Sequence, residues 1–363
     1  MKIIHLITAA RPNMMKIAPL WHAFNQSGFL KPVLVHTGQH YDANMSDIFL
    51  QQLGLPVPDV QFNVGGGSHN FQHAKVIEKY DALCEEQSPD LTLVVGDVNA
   101  TASCALAAKK RLLPVAHMEA GLRSFDRTMP EEINRLVTDS IADIHWAPSP
   151  IEMELLAREN IRGPHVRMVG NIMIDALVKM LPAIEADATC QSMSLAKGSF
   201  AVATMHRPVN VDDETQLGKI VDALLWMAKE LKVVFPVHPR TRQKLQATKL
   251  LDKLEKNSNI HLLEPLGYVQ FINLVMNARC VVTDSGGIQE ETSYLGVPCL
   301  TLRESTERPV TVSLGTNQLV KLDDVQKVLP GVLSAQTKPA NIPLWDGKTA
   351  GRVCEHLKEF FGL

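Results

Sequence analysis

Residues 91–110 read LTLVVGDVNATASCALAAKK. The run Leu91–Val95 predicts a strand covered on both faces, because a strand with one wet face alternates polar and apolar side chains. Gly96 and Asp97 close it, and Ala100–Lys110 follows as an alanine-rich helix. A buried strand leading straight into a helix is part of a βαβ unit and predicts a parallel sheet. The rhythm extends both ways. Upstream, Lys2–Thr8 is a strand, Asn13–Gln26 a helix closed by Gly28, and Val33–His36 a strand. Downstream, Pro114–His117, Ile144–Ala147 and Val166–Val169 are strands, and Glu131–Ile141 is a helix.

The stretch from 183 to 197 is weakly patterned and reads as a linker. After it the alternation restarts, with strands expected at Phe200–Met205, Val233–Val237, Ile260–Leu263, Cys280–Thr283, Pro298–Leu302 and Gln318–Lys321. A chain of 363 residues suits two domains. The expectation is therefore two doubly wound α/β domains, over 1–182 and 198–345, and a final segment over 346–363. Its helix, Gly351–Phe361, suits either domain.

Composition excludes several classes. Hydrophobic residues make up 45% and charged residues 21%, which is a globular balance. A net charge of −3 and an aromatic content of 5% give no surplus for nucleic acid or an anionic membrane. The six cysteines show no zinc-type spacing, and no secretory signal or apolar run of membrane length is visible. A soluble, cytoplasmic protein is expected.

Open α/β sheets bind ligands past the carboxyl ends of their strands, where strand order reverses. The polar residues just after strands are therefore the informative ones. Arg11 and Lys16 lie by a helix N-terminus after the first strand, an arrangement that suits an anion and equally a solvated turn. Asp97 reads as a helix cap or as a catalytic group, since a carboxylate there is costly unless paired or used. Glu119 follows the strand at 114–117. Glu131 and Glu132 open a helix whose dipole alone favours acids. Yet Asp97, Glu119 and Glu131 approach one sheet edge, and converging carboxylates separate into acid and base. This favours chemistry.

In the second half, His206-Arg207 and His238 end strands. Asp284-Ser285-Gly286-Gly287-Ile288-Gln289-Glu290-Glu291 is the strongest local signal. Free backbone N–H groups before a helix form an anion nest, the glycines admit a diphosphate, and Glu291 is placed for ribose hydroxyls. Arg308 would add a cation. A turn that merely needs glycine is the plainer reading. Gly65-Gly66-Gly67 lacks dinucleotide-binding spacing. No Walker A sequence, G-x-S-x-G elbow or metal constellation is present.

Six groups stand in one order along the chain. They are Arg11-Pro12 with Lys16; Thr37-Gly38-Gln39-His40-Tyr41-Asp42; Gly96-Asp97; His117-Met118-Glu119-Ala120-Gly121-Leu122-Arg123; Pro130-Glu131-Glu132-Ile133-Asn134-Arg135; and Asp284 to Glu291 with Thr306-Glu307-Arg308-Pro309. Together they resemble the non-hydrolysing UDP-N-acetylglucosamine 2-epimerase family, nearly end to end. The resemblance implies a GT-B architecture of two Rossmann-like domains facing a cleft, a C-terminal helix crossing back to the first domain, and a homodimer. It implies interconversion of UDP-GlcNAc and UDP-ManNAc for bacterial surface polysaccharide, with no NAD and no metal. The implied route is anti elimination of UDP to a 2-acetamidoglucal, then re-addition with a proton delivered to the other face of C2.

By that resemblance Asp97, Glu119 and Glu131 form the acid–base set, without individual assignment. His206, the nest, Arg11, Lys16 and Arg308 would stabilise departing UDP. Arg135 and Gln39 would orient the sugar or the acids. Ser285, Gly286, Gly287 and Glu291 would hold diphosphate and ribose, His238 would line the same side, and Phe271 would flank the uracil. The loops at Gln39-His40 and Gly65–Asn70 lie where some bacterial members bind an activating UDP-GlcNAc. Two positions depart from the family pattern. Pro208-Val209 follow His206-Arg207 where many members read x-Glu, and Val98 follows Asp97 where many read Thr. These bear on the sugar pocket and leave room for a 2,3-diacetamido uronic acid as the sugar. Three further readings compete: a hydrolysing epimerase, a GT-B glycosyltransferase and a non-catalytic nucleotide-sugar sensor.

Overall fold

The computed structural model describes residues 1–38, 52–335 and 338–363, with the side chain of Arg11 outside that description. The chain divides into two compact units, Met1–Val178 with Pro343–Leu363, and Lys179–Ile342.

The first unit holds β1 (Lys2–Thr8), β2 (Leu30–Gly38), β3 (Val60–Val64), β4 (Leu91–Val95), β5 (Val115–Met118), β6 (Ile144–Ala147) and β7 (Val166–Met168). They form one sheet in the order β3-β2-β1-β4-β5-β6-β7. Every pairing is parallel. Both faces are covered, which is why β4 is apolar throughout. Phe24, Leu6 and Trp146 fill one side, and Tyr80, Val94 and Cys104 the other. Ala350, Val353 and Leu357 of the final helix, Thr349–Phe360, join the Trp146 side. Asp175 accepts from the Thr349 and Ala350 amides at 3.0 and 2.8 Å and so caps that helix.

The second unit holds β8 (Phe200–Thr204), β9 (Lys232–Pro236), β10 (Ile260–Leu263), β11 (Cys280–Thr283), β12 (Cys299–Thr301) and β13 (Asn317–Leu319). Its parallel sheet runs β10-β9-β8-β11-β12-β13. Each unit therefore places its first and fourth strands side by side, and strand order reverses there. In both units prolines in the first two helical positions open helices soon after strands, at Pro12, Pro130, Pro208 and Pro239.

The doubly wound α/β expectation matches these sheets, with local corrections. β2 begins at Leu30, earlier than expected. β3 and the helix His69–Glu86 escaped the pattern, because that helix buries only Val76, Tyr80, Leu83 and Cys84 among many polar residues. The stretch 183–197 carries the end of helix Ile172–Ala186 and a short helix, Thr189–Ser192, with Cys190 and Leu195 buried. The Asn273 amide fastens it by donating to the Ile184 and Asp187 carbonyls at 2.8 and 3.1 Å. Among the described residues no helix is long and apolar enough to cross a membrane.

Candidate active site

In the first unit the turns after β1, β4 and β5 carry the charged residues. Glu119 follows β5 and is 3% exposed. Its Oε2 lies 2.5 Å from Lys16 Nζ, and its Oε1 has no hydrogen-bond partner among the described residues. Its φ is +71°, in the left-handed region, which costs a residue with a Cβ roughly 1–2 kcal/mol. A buried carboxylate with a spare oxygen among the described residues, held on a strained backbone, makes Glu119 a candidate for chemistry. Gly96 makes the turn after β4 with φ +68°, and a Cβ there would come within 3.2 Å of Lys16 Nζ and 3.4 Å of Glu119 Oε2. Lys16, Gly96 and Glu119 thus share one spot, and Asn13 donates to the Val95 carbonyl beside it at 3.2 Å.

Asp97 comes next and is partly exposed. Its carboxylate pairs with Arg135, which is 2% exposed. Arg135 also donates to Glu132 Oε2 at 2.6 and 2.9 Å and to Ser124 Oγ at 3.2 Å. Glu132 accepts from the Ser124 and Phe125 amides at 2.9 and 3.0 Å. Burial pushes the Glu132 carboxyl up, but those amides and Arg135 outweigh it and hold it below its ordinary range. Glu132 is therefore an anchor. Glu131, one helical turn before Arg135, is half-buried, and its side chain makes no hydrogen bond or ion pair among the described residues. The Asn134 amide donates to the Asp97 carbonyl at 2.9 Å and to Asn99 Oδ1 at 3.1 Å.

In the second unit Asp284 organises the strand ends. It is fully buried and accepts from the His206 amide at 3.0 Å, the Arg207 amide at 2.8 Å and the Asn210 side chain at 3.1 Å. Its carboxyl stays low because His206, Arg207 and Asn210 outweigh burial. His206 Nδ1 lies 3.0 Å from Asp284 Oδ1, so Asp284 fixes the ring and leaves Nε2 unclaimed among the described residues. His238 Nδ1 accepts from the Arg240 amide and caps helix Pro239–Ala247, which makes its Nε2 the protonated nitrogen. Burial lowers its pKa, and neighbouring His206 and Arg240 lower it further.

Ser285-Gly286-Gly287 leads into helix Ile288–Leu295. A Cβ on Gly286 would come within 2.7 Å of Glu307 Oε1, so a side chain there would displace the Glu307 carboxylate. A Cβ on Gly287 would meet nothing within 4 Å, and its φ is −64°, which any residue adopts. The fold does not demand that second glycine. Glu291 is buried, accepts from Tyr268 Oη at 2.7 Å, and is pushed up to about 7 by burial, with neighbouring Glu290 adding to the rise. Arg308 is held in place by acids. Rather than presenting an uncompensated cation, its guanidinium is held between Glu290 and Glu307, at 2.8 Å to each. Arg308 and Arg303 overcome the effect of burial and hold the Glu307 carboxyl down at about 2. Phe271 is half-buried one turn after Tyr268.

The structure thus brings together Lys16, Asp97, Glu119 and Arg135 in one unit, with Glu131 on the adjoining helix turn. In the other it brings together His206 with His238, and Gly286 with Arg308. Gln39, with the Gln39-His40 loop, and the Arg11 side chain lie outside the described residues. Asn13, Glu132, Asn134, Tyr268 and Asp284 carry no role in the reading of the sequence. Four of them stand inside its motifs, whereas Tyr268 meets Glu291 only through the fold.

Comparison with known proteins places the chain in a family. The family profile described as UDP-N-acetylglucosamine 2-epimerase matches residues 22–358. The chain is 38% identical over 361 residues to the UDP-N-acetylglucosamine 2-epimerase of Methanocaldococcus jannaschii, covering 98% of each. It is 39% identical over 324 residues, 88% of each chain, to the UDP-2,3-diacetamido-2,3-dideoxy-D-glucuronate 2-epimerase of Pseudomonas aeruginosa. The crystal structure of the M. jannaschii UDP-GlcNAc 2-epimerase in complex with UDP-GlcNAc and UDP superposes with a TM-score of 0.88 at 37% identity, covering 98% of this chain and 99% of that one. The two doubly wound sheets are accordingly those of the GT-B class. The chain belongs to the UDP-N-acetylglucosamine 2-epimerase family of isomerases.

Proposed function

We propose that this protein interconverts UDP-GlcNAc and UDP-ManNAc by elimination and re-addition of UDP, without net hydrolysis. The observation that carries the reading is Glu119, a buried carboxylate on a left-handed backbone beside Lys16, with one oxygen unpartnered among the described residues. A carboxylate base takes the C2 proton. The C2–H electron pair becomes the C1=C2 bond, and the C1–O pair leaves on the diphosphate. Return of UDP to C1 with a proton on the opposite face of C2 completes the inversion. Such a step needs a base, an acid and a cradle for an anion. Asp97, Glu119 and Glu131 supply the acid–base set, with Asp97 balanced by Arg135 and Glu119 by Lys16.

On the UDP side we assign His206, oriented by Asp284, to the leaving diphosphate together with the amides of Ser285, Gly286 and Gly287. A glycine at 287 that the fold does not require makes sense where a diphosphate approaches the backbone. Glu291 then holds the ribose hydroxyls. No hydride moves, so the proposal needs neither NAD nor a metal, and dialysis against EDTA should leave turnover unchanged. The reading extends to a homodimer in the cytoplasm supplying a donor sugar for surface polysaccharide. Light scattering tests the first part of that extension.

The decisive experiment is proton NMR with UDP-GlcNAc in D2O. Deuterium at C2 with UDP-ManNAc and no free sugar is the expected result, whereas free ManNAc and UDP would assign the hydrolysing branch. The resemblance to the P. aeruginosa enzyme, with Val98 and Pro208-Val209 at the departing positions, supports a second reading in which the sugar is a 2,3-diacetamido uronic acid. The ratio of kcat/KM for the two UDP-sugars decides between them.

A further inference from the structure

Behind the acid–base set lies a second, fully buried polar group. Asp139 sits in the last turn of helix Pro130–Ile141 and is 1% exposed. Its Oδ1 lies 2.6 Å from His117 Nδ1, and its Oδ2 accepts from the Gly121 amide at 3.0 Å and from Arg123 Nη1 at 2.7 Å. His117 is itself fully buried, and its other nitrogen lies 2.8 Å from the Gly96 carbonyl. A carbonyl only accepts, so His117 Nε2 carries a hydrogen and donates to Gly96. Gly96 precedes Asp97, and Gly121 stands two residues after Glu119. Both glycines are left-handed, at +68° and +85°, as is Glu119 between them in sequence.

We propose that Asp139 is a positioning residue for the acid–base set. One of its oxygens steadies, through His117, the turn that presents Asp97, and the other steadies the turn that presents Glu119. The helix that carries Asp139 also carries Arg135, one turn earlier, on the Asp97 carboxylate. One helix therefore fixes the Asp97 turn at two points, the side chain from Arg135 and the preceding carbonyl through His117. Arg123 closes the group on its far side, with Nε and Nη2 donating to Glu159 at 2.7 and 2.6 Å. Burial would raise the Asp139 carboxyl, but His117, Arg123 and His145 around it hold it down at about 2. A buried carboxylate with this many donors resists displacement, because breaking any one contact strands a buried polar partner.

The inference rests on the epimerase reading above, and its test separates the two. Asp139→Asn keeps the shape but removes the charge opposite Arg123 and turns an N–H in place of an oxygen towards either His117 or Gly121, so the three contacts cannot all persist as they are. Sites are counted by UDP binding in calorimetry, and C2 hydrogen–deuterium exchange is followed by NMR per site. The expected result is a 10- to 100-fold fall in kcat for exchange and epimerisation, with KM and UDP affinity within threefold of the parent. A role confined to holding the sheet together would lower the melting temperature and leave kcat per site unchanged, and that result overturns the proposal. If Asp139→Asn fails to fold, His117→Gln replaces it. That variant keeps a donor for Gly96 and loses the fixed ring bridge, so a smaller loss in kcat with the same KM is expected, and parental kcat overturns the proposal. Absence of C2 exchange in the parent enzyme would instead count against the epimerase reading itself.

Discussion

The two units share a strand order and differ in what they place at its reversal. In the first, the turns after β4 and β5 are left-handed at Gly96 and Glu119, and acids stand beside cations there. In the second, the turn after β11 is a glycine pair before a helix, and the buried acid, Asp284, accepts from the loop after β8. One topology thus serves two tasks. The acids proposed to exchange protons are balanced by Lys16 and Arg135, and Glu119 Oε1 keeps its lone pairs unclaimed among the described residues. The surface proposed to hold the diphosphate uses backbone amides, which do not ionise, and its acid Asp284 is spent on positioning.

That division of labour can be broken experimentally. The largest effect is expected from Asp97→Asn, a fall in kcat of about 10³-fold or more with UDP affinity kept, since a positioned acid or base is worth about 10²–10⁴. Parental turnover would remove Asp97 from the mechanism. Glu119→Gln should cost about 10²-fold in kcat. It also leaves the largely buried Lys16 without its counter-charge, so its melting temperature should fall too, and kcat per folded site is the measure that checks the role. Gly287→Ala should do the converse and raise KM about tenfold with kcat nearly intact. Because the backbone there suits alanine, the variant should also gain about 0.4–1 kcal/mol of stability. A KM equal to the parent's would separate Gly287 from the diphosphate.

The smallest effect concerns pH. Glu291 sits near 7 in the folded chain, above its ordinary 4.5, because of burial. Between those values the folded state binds more proton than the unfolded one, so Glu291 lowers stability as pH rises through that window, by up to about 1.4 kcal/mol per unit. Glu291→Gln should flatten the slope of the melting temperature between about pH 5 and 7. An unchanged slope would place Glu291 in a wetter setting than its contact with Tyr268 describes.

Much of this was legible in the sequence because strand ends are legible. Leu91–Val95 and Cys280–Thr283 are apolar on both faces, so the polar residues that end them stand out, and Asp97 and Asp284 follow directly. Glu119 was visible for the same reason. Its left-handed backbone was not, since φ is set by the neighbouring strands and by nothing in Met118-Glu119-Ala120. Glu131 and Glu132 are adjacent and alike in sequence, and only the fold separates the anchor from its neighbour, by placing Glu132 under the Ser124 and Phe125 amides. Arg308 read as a cation for the diphosphate because its partners Glu290 and Glu307 differ so much in sequence distance that one of them comes near only through the fold. The helix His69–Glu86 was missed because a surface helix with few buried residues carries a weak period.

The final helix has a consequence for how the protein is made. Ala350, Val353 and Leu357 belong to the same core as Leu6, Leu93 and Trp146, and the whole of Lys179–Ile342 lies between them in sequence. On the ribosome all of the second unit is synthesised before the segment that closes the first. Throughout that interval the nascent first unit lacks the cover that Val353 and Leu357 give its apolar flank, so its core closes only once the last helix is made.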